Sequence, residues 1–572
     1  MSAPASRAGA WPIIRAYWVS PESRPGWRLL MAVIALDLTL VWRAARITYW
    51  QKDFYDTLQK MDEAAFWPLL AMLVLLALTG LVLNTARTWL AQSLEMRWRA
   101  WMTDVYLKRW LAGSAFWRLE REQHPAGCSV ENVDQRLAED LRMLASDTLS
   151  LSLGLLSNFV SLFTFSAIVW SMSGVLSITL GGASFEVPGY MLWVALIYAA
   201  GGSWLMEKIG GRMVAIDYRQ QQAEADFRTA LMRIRESAEQ IALYGGGHAE
   251  HARLTALFDA VKHNWRDIMV YTKRITITDN AYTEAGALVP YVLQGPRVLK
   301  GIITMGDLIQ LTQSFMRVRV ALSWFIYKYK SLALLRSTLA RLAEFDAALQ
   351  AASGATASAP RITRQRGPAA SGYALQGGQA LGPGGRPLTP VVNWRIAPGE
   401  RWMLRGPSGA GKSTLLRALA GLWTHGHGHI ATPPGAAAAP RAETLFVPQQ
   451  SYLPIDTLRA CLAYPALETA FSDDDCQAAL RWACLPALTH RLHESAHWAR
   501  QLSPGEQQRL AFARIWLHRP RWLFLDEATS ALDEETEERL YTRLTRDLPG
   551  LTLVSIAHRS SLRRFHEHEM QL

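Results

Sequence analysis

Cysteine is scarce in this chain. There are four in 572 residues (Cys128, Cys461, Cys476 and Cys484), none in CxxC spacing. That argues against a disulfide framework and a thiolate metal site, and it suits a reducing compartment. Charge is thin as well, at 19% of residues against 50% hydrophobic, which is oily for a soluble enzyme of this length. The opening "MSAPASRAGAWPIIRAYW" has no basic start leading into an apolar core and a small-residue cleavage site. No cleavable signal peptide is therefore expected, and membrane insertion would rest on spans further along.

The charge that is present leans basic, with a formal net of +11. A nucleic-acid partner and Lys/Arg flanking membrane spans give the same excess, so composition does not separate them. Position along the chain does. Apolar runs lie near 29–48, 66–90, 147–171, 189–207, 280–301 and 308–334. The second and third are long enough to cross a bilayer at about twenty residues each. Glu284, Arg297, Arg317 and Arg319 interrupt the last two, for which a buried core helix is the alternative to a span lining an aqueous path. The connections 88–146 and 208–278 hold eight and eleven Lys/Arg, whereas 51–65, 172–188 and 301–307 hold two, none and none. Positive charge stays inside, so six spans with both termini cytoplasmic fit best and nucleic acid is not expected as a partner. Residues 10–28, aromatic with Arg15, Arg24 and Arg28, suit an interfacial helix.

Both basic connections read as amphipathic helix, extending the spans into the cytoplasm. Residues 351–372, small, polar and punctuated by Pro and Gly, read as a linker between a membrane domain at 1–350 and a second domain at 373–572. In the second domain short apolar runs alternate with turns and helical patterns, the signature of an α/β fold.

That domain carries the chemistry. "GPSGAGKST", Gly406 to Thr414, follows the apolar "RWML" and precedes a helical pattern. Gly406, Ser408, Gly409 and Gly411 let backbone amides turn inward around phosphates; Lys412 would reach the β- and γ-phosphates of ATP, with Thr414 beside it and Ser413 on Mg²⁺. In "RWLFLDEATSALD" an apolar strand ends at Asp526, a second Mg²⁺ group, and Glu527 is placed to polarise the attacking water. Together the two motifs specify a P-loop nucleotidase. "LSPGEQQR", 502–509, stands just ahead of that strand and reads either as a capped helix start or as something more.

It resembles the signature of ATP-binding cassette (ABC) proteins, usually LSGGQ, with Pro504 and Glu506 departing from the usual form. The resemblance extends, in order, through Gln449 in "FVPQQSYLP" (Q-loop), Asp533 in "SALD" (D-loop) and His558 in "VSIAHR" (switch histidine). It implies that the Ser503 hydroxyl and the Gly505 amide bind the γ-phosphate held by an opposite subunit, with Glu506 in the same nucleotide-binding turn. It also implies that Asp533 lies at the shared site, that Gln449 senses Mg²⁺, and that Gln449 and His558 join Glu527 in catalysis. The family's adenine-stacking aromatic has no clear counterpart among Tyr373, Trp394 and Trp402. One cassette and six spans make half a transporter, so a homodimer in a lipid bilayer is implied.

In the membrane half, "QKDFYDTLQ", "ENVDQRLAEDL", "EADFRTALMRIRESAEQIALY" and "LSWF" resemble SbmA/BacA-type transporters, their YddA-like fused members and the peroxisomal D subfamily. The fold this implies is an all-α, six-helix, exporter-type transmembrane domain followed by an α/β P-loop nucleotide-binding domain. The implied location is the bacterial inner membrane. The implied cargo is a peptide or cobalamin-like solute moving inward; export of lipids or hydrophobic drugs is the alternative. "ENVDQRLAED" and "RIRESAEQIA" are then expected near the cytoplasmic turns that press on the cassettes. Asp37, Arg43, Glu207, Glu284, Arg297 and Arg317 either line a wet cavity or pair internally.

Overall fold

The computed structural model describes residues 11–121, 132–180, 183–352, 361–367, 372–382, 385–433, 443–557 and 559–572. The chain divides into two compact units, one of residues 1–109 with 131–347 and one of residues 110–130 with 348–572.

The first unit is built from long helices. Six carry the six apolar runs: Ser23–Lys60, Glu63–Leu111, Leu141–Ser173, Tyr190–Glu236, Gly247–Leu299 and Met305–Ala352. The shortest has 33 residues, about 50 Å at 1.5 Å per residue, against an apolar bilayer core of about 30 Å. Every one can therefore cross and continue outward, as the amphipathic connections suggest. By length and composition alone, two stretches among the described residues qualify as spans, Glu63–Glu120 and Val133–Ser173, with 11% and 22% of their most apolar windows buried. Val74, Leu75, Leu78, Leu81 and Val82 form an exposed apolar face that suits lipid and not water.

The other four helices carry charges that lower their apolarity, and the fold gives several of these a partner. Asp37 pairs with Arg87 at 2.6 Å and Lys52 with Asp307 at 2.7 Å. Arg43 donates to the Leu76 carbonyl at 2.7 Å, and Arg297 to the Ser173 carbonyl at 2.5 Å. Phe165, Val169, Met191, Ala195, Leu311, Phe315 and Val318 interlock three of the helices.

Three local features differ from the sequence reading. Residues 10–28 form a short helix, Trp11–Val19, and then the start of the long one at Ser23, with Ser20–Pro21 at the break. Tyr17 of the short helix is buried and stacks on Trp98 at 6.1 Å. The uncharged link after Ser173 holds an antiparallel strand pair, Val175–Leu180 with Ala183–Pro188. Asp140, within "ENVDQRLAED", is 1% exposed and held by Arg136 at 3.0 Å and Arg341 at 2.5 Å.

The second unit is an α/β fold. A five-stranded parallel sheet runs in the order His568–Gln571, Arg401–Arg405, Thr552–Ile556, Trp522–Asp526, Thr444–Val447. The two strands at its centre, Trp522–Asp526 and Thr552–Ile556, are almost wholly buried and mostly apolar, as a covered parallel sheet requires. A four-stranded mixed sheet lies beside it, and its strand Thr363–Arg366 falls inside the stretch read as linker. Tyr373, Trp394, Leu404, Leu415, Phe524 and Val554 share one core. A second core packs the helices Asp473–Trp482 and Pro504–His518 around Leu458, Leu480, Trp498 and Leu510.

Candidate nucleotide-binding site

The strand Arg401–Arg405 delivers the chain to the loop 406–411, and the helix Lys412–Leu419 leaves it. The loop turns through three positive-φ glycines, Gly406, Gly409 and Gly411. At Gly411, φ is +87° and a Cβ would stand 2.4 Å from the Leu388 carbonyl oxygen, so glycine is required twice over. The Lys412 ammonium is buried and donates to the Gly406 and Pro407 carbonyls at 2.8 and 3.0 Å, folded over the loop it is expected to serve. Ser408 and Thr414 flank it in the loop and first turn.

Asp526 ends the central strand and accepts a 2.9 Å hydrogen bond from the Ser413 hydroxyl. Two hard oxygens thus converge from different elements, the donor chemistry Mg²⁺ takes. Burial pushes the Asp526 carboxyl above its ordinary value, only partly offset by that hydrogen bond. Next in the chain, Glu527 sits at φ +50°, a strained conformation for a non-glycine residue, and its backbone N–H is tied to the Ile556 carbonyl at 3.1 Å. That turn aims the carboxylate at Gln449, whose amide donates to it at 3.1 Å. Lys412, Ser413, Asp526, Glu527 and Gln449 are thereby gathered at the C-terminal ends of parallel strands, where α/β sheets place their ligands.

Ser503 is the N-cap of the helix Pro504–His518. Its hydroxyl accepts from the Glu506 amide, and the Glu506 carboxylate accepts from the Ser503 amide at 2.8 Å. Glu506, the departure from the usual glutamine, closes this capping box, and the two hydrogen bonds from Ser503 hold its carboxyl below the ordinary value. Gly505 passes close to the Ala531 carbonyl. Among the described residues, no hydrogen bond links Ser503 or Glu506 to the phosphate loop; Gln508 ties their helix to Ser530 and Ala531 instead. Asp533 caps the next helix by accepting from Thr536 at 2.9 Å, which lowers its carboxyl. His558 lies outside the described residues.

Three residues escaped the sequence reading. Arg514 is 8% exposed and donates to the Cys461 and Tyr452 carbonyls at 2.6 and 2.8 Å, joining the signature helix to the chain just after Gln449. Desolvation lowers its pKa to about 10. Gln508 makes the tie already given, and buried Glu537 accepts from Arg559 at 3.2 Å, bracing the segment beside position 558. In each case the signal is a polar residue on the apolar face of an amphipathic helix. Of the candidate adenine platforms, Tyr373 is buried edge-on against Trp522 and Phe524, Trp394 packs on Trp402, and Trp402 stacks on His568. All three serve the core.

Comparison with known proteins agrees with this arrangement. Residues 13–299 match the family "ABC transporter transmembrane region 2" and residues 390–530 match "ABC transporter". The chain is 32% identical over 552 residues to the "Inner membrane ABC transporter ATP-binding protein YddA" of Escherichia coli (strain K12), covering 96% of this chain and 94% of that protein. It is 26% identical over 591 residues to the "Lysosomal cobalamin transporter ABCD4" of Homo sapiens, covering 96% and 92%. In fold it is similar to a bacterial Atm1-family ABC exporter solved with ATP bound, with a TM-score of 0.65, 18% identity and 95% and 93% coverage. The chain belongs to the ABC transporters: it is an ATP-binding ATPase coupled to membrane transport, with an exporter-type helical membrane region fused to its α/β nucleotide-binding domain.

Proposed function

We propose that this transporter works as a homodimer in a bacterial inner membrane and carries peptides or cobalamin-like hydrophilic solutes inward. Its membrane domain is taken as 1–350 and its nucleotide domain as 373–572, joined by 351–372, of which Thr363–Arg366 pairs into the nucleotide unit's sheet. The observation that carries the cargo reading is polar material buried among the membrane helices. Gln294, Gln310, Ser314 and Arg319 are at most 5% exposed, and the Gln310 amide nitrogen and Ser314 hydroxyl have no partner among the described residues. Unsatisfied polar groups are costly in hydrocarbon and at home beside water or a polar solute. Asp37, Arg43 and Arg297 are engaged internally, whereas Glu284 and Glu207 remain exposed. The relatives, one an inner membrane protein and one a cobalamin transporter, favour the same reading. So does the grouping with the SbmA/BacA-type transporters that the membrane motifs suggest.

The dimer follows from the signature turn. Among the described residues the Ser503 side chain bonds only within its own turn, so a phosphate for its hydroxyl and for the Gly505 amide would come from a second chain. Each ATP would lie between the loop of one chain, with Gly406, Ser408, Gly409, Gly411, Lys412, Ser413 and Thr414, and the Ser503, Gly505 and Asp533 region of the other. Ser413 and Asp526, with Gln449 nearby, would hold Mg²⁺, which would supply charge neutralisation for the phosphates. Glu527 polarises the attacking water, and His558 contacts the γ-phosphate. Closure of the nucleotide domains then draws on the cytoplasmic arms. Trp117 and Arg118, just past the second long helix, pack within the nucleotide unit through Trp423 and the Ala352 carbonyl. "RIRESAEQIA" is followed directly by Leu243 and Tyr244, 81% and 90% exposed at an arm's tip.

The test uses proteoliposomes with the nucleotide domains outward, loaded with labelled peptide or cobalamin, beside a Glu527→Gln control. ATP-dependent loss from the lumen, absent in the control, is expected. ATP-dependent uptake into the lumen would make the protein an exporter, the alternative reading for lipids or hydrophobic drugs.

A further inference from the structure

Among the described residues of the membrane unit, one buried cation lacks the hydrogen-bonded partner that Arg43 and Arg297 have. Arg319, on the helix Met305–Ala352, is 5% exposed, and its Nε is buried without a hydrogen-bond partner. No ion pair or hydrogen bond of its guanidinium is found among the described residues; the guanidinium carbon lies over the face of Tyr282, 5.0 Å from the ring centre. At 1.5 Å per residue, Arg319 lies about 21 Å from the Met305 end of its helix, Tyr282 about 25 Å from the Leu299 end and Tyr198 about 12 Å from the Tyr190 end. Each of the three therefore sits more than two turns inside a long helix of the membrane unit. A bare guanidinium there is expensive, and it persists where it has a task.

Its surroundings are built to hold it flat. Tyr198 and Tyr282 stack at 4.7 Å with their planes 10° apart, and the Tyr198 hydroxyl donates to the Tyr282 carbonyl at 2.5 Å. Each ring lies over a glycine of the opposite helix. A Cβ at Gly202 would stand 2.1 Å from the Tyr282 ring, and one at Gly286 would stand 3.0 Å from Tyr198 and 3.4 Å from the Arg319 side chain. The Tyr282 ring covers one face of the cation, and Tyr198 stacks on that ring. Its N–H groups, an in-plane fork suited to carboxylate or phosphate, are left without an acceptor.

We infer that Arg319, backed by Tyr282 and Tyr198, is an anion-holding point within the membrane domain, taking the carboxylate or phosphate group of a transported solute. The inference rests on the transport-path reading above and sharpens it, from hydrophilic solutes to those bearing an anionic group. An anion would take up the free guanidinium edge while the ring keeps its face, so binding adds a partner without removing one.

The test asks whether Arg319 binds anions, with no cargo identified beforehand. The full-length protein in phosphatidylcholine nanodiscs, turning over ATP, is treated with the arginine reagent phenylglyoxal, and modification of Arg319 is followed by peptide mass spectrometry. Arg317, on the same helix beside Phe165, serves as the internal reference. Arg319 is expected to be modified during turnover. Benzoate or inorganic phosphate should slow this by about tenfold when present near ten times its dissociation constant, and neutral benzamide should not. Protection by phosphatidylglycerol in the nanodisc but by neither small anion would assign the anion to the bilayer and overturn the solute role. Arg319 unmodified in every state, or modified at the same rate with and without anions, would make it a packing cation and overturn the inference. Intact protection with no movement of peptide or cobalamin in the proteoliposomes would overturn the cargo reading alone.

Discussion

Ser503 has two roles that a substitution can separate. In the structure it caps a helix; in the proposed dimer it also binds the γ-phosphate held by the partner. Removing the cap in Ser503→Ala costs about 1 kcal/mol, which lowers the melting temperature by about 2–4 °C for a domain of roughly this size. Losing a hydrogen bond to a charged phosphate costs about 1.5–3 kcal/mol more, or roughly ten- to hundredfold in kcat/KM at 1.4 kcal/mol per factor of ten. The same unit contains its own control. Ser472 caps the helix Asp473–Trp482 with the same box, accepting from the Asp475 amide at 3.1 Å while the Asp475 carboxylate accepts from the Ser472 amide at 3.4 Å. Ser472→Ala should cost the same stability and leave turnover unchanged. The assay is ATP hydrolysis by the purified full-length protein, beside thermal unfolding of both variants. Equal activity losses in the two would show that Ser503 acts through folding alone, and the phosphate role would be refuted.

Other substitutions test the rest of the site. Glu527→Gln should retain ATP binding and lose hydrolysis; undiminished turnover would remove Glu527 from its water-polarising role. Glu527→Gly should also lose hydrolysis while gaining about 0.5–1 kcal/mol of stability, because glycine adopts the positive φ without strain; a lower melting temperature would contradict this. Arg514→Met keeps much of the volume but strips two buried carbonyls of their donor, and should cost about 2–4 kcal/mol in denaturant unfolding. Asp526 gives a pH signature. Burial raises its folded-state pKa, so its contribution to stability is fully present below its unfolded value of about 3.9 and is lost as pH rises through the raised value. In nucleotide-free protein, Asp526→Asn should therefore gain stability over the parent from acid toward neutral pH, and a constant difference across that range would refute the burial argument.

The nucleotide domain was legible because its chemistry is written in short contiguous runs whose spacing survives translation into structure. "GPSGAGKST" reads as a loop between strand and helix, and "RWLFLDE" as a buried strand with acids at its end; both take those forms. What did not show were roles set by contacts far along the chain. Arg514 looks like one more charge on an amphipathic helix, and its partners lie 53 and 62 residues away. The strained backbone at Glu527 has no sequence mark, since nothing in the residue type announces a positive φ. The strand Thr363–Arg366 hid in a Pro- and Gly-punctuated stretch because its pairing comes from Gly426–Thr432, well beyond it.

The membrane domain shows the converse. Its apolar runs were plain, because about twenty residues of hydrocarbon leave a strong signal, but the fate of each interrupting charge was not. Asp37 and Arg43 were equally good candidates for a wet cavity until the fold joined one to Arg87, 50 positions on, and the other to the Leu76 carbonyl. Arg319 entered the sequence reading only as a blemish in an apolar run. Its significance comes from comparison with neighbours: Asp37, Lys52 and Arg297 all acquire hydrogen-bonded partners, whereas Arg319 acquires an aromatic face. In a low-dielectric interior, charges are told apart by what satisfies them. A buried charge left unsatisfied is therefore a place to look for a ligand, and only the three-dimensional pairing reveals which one that is.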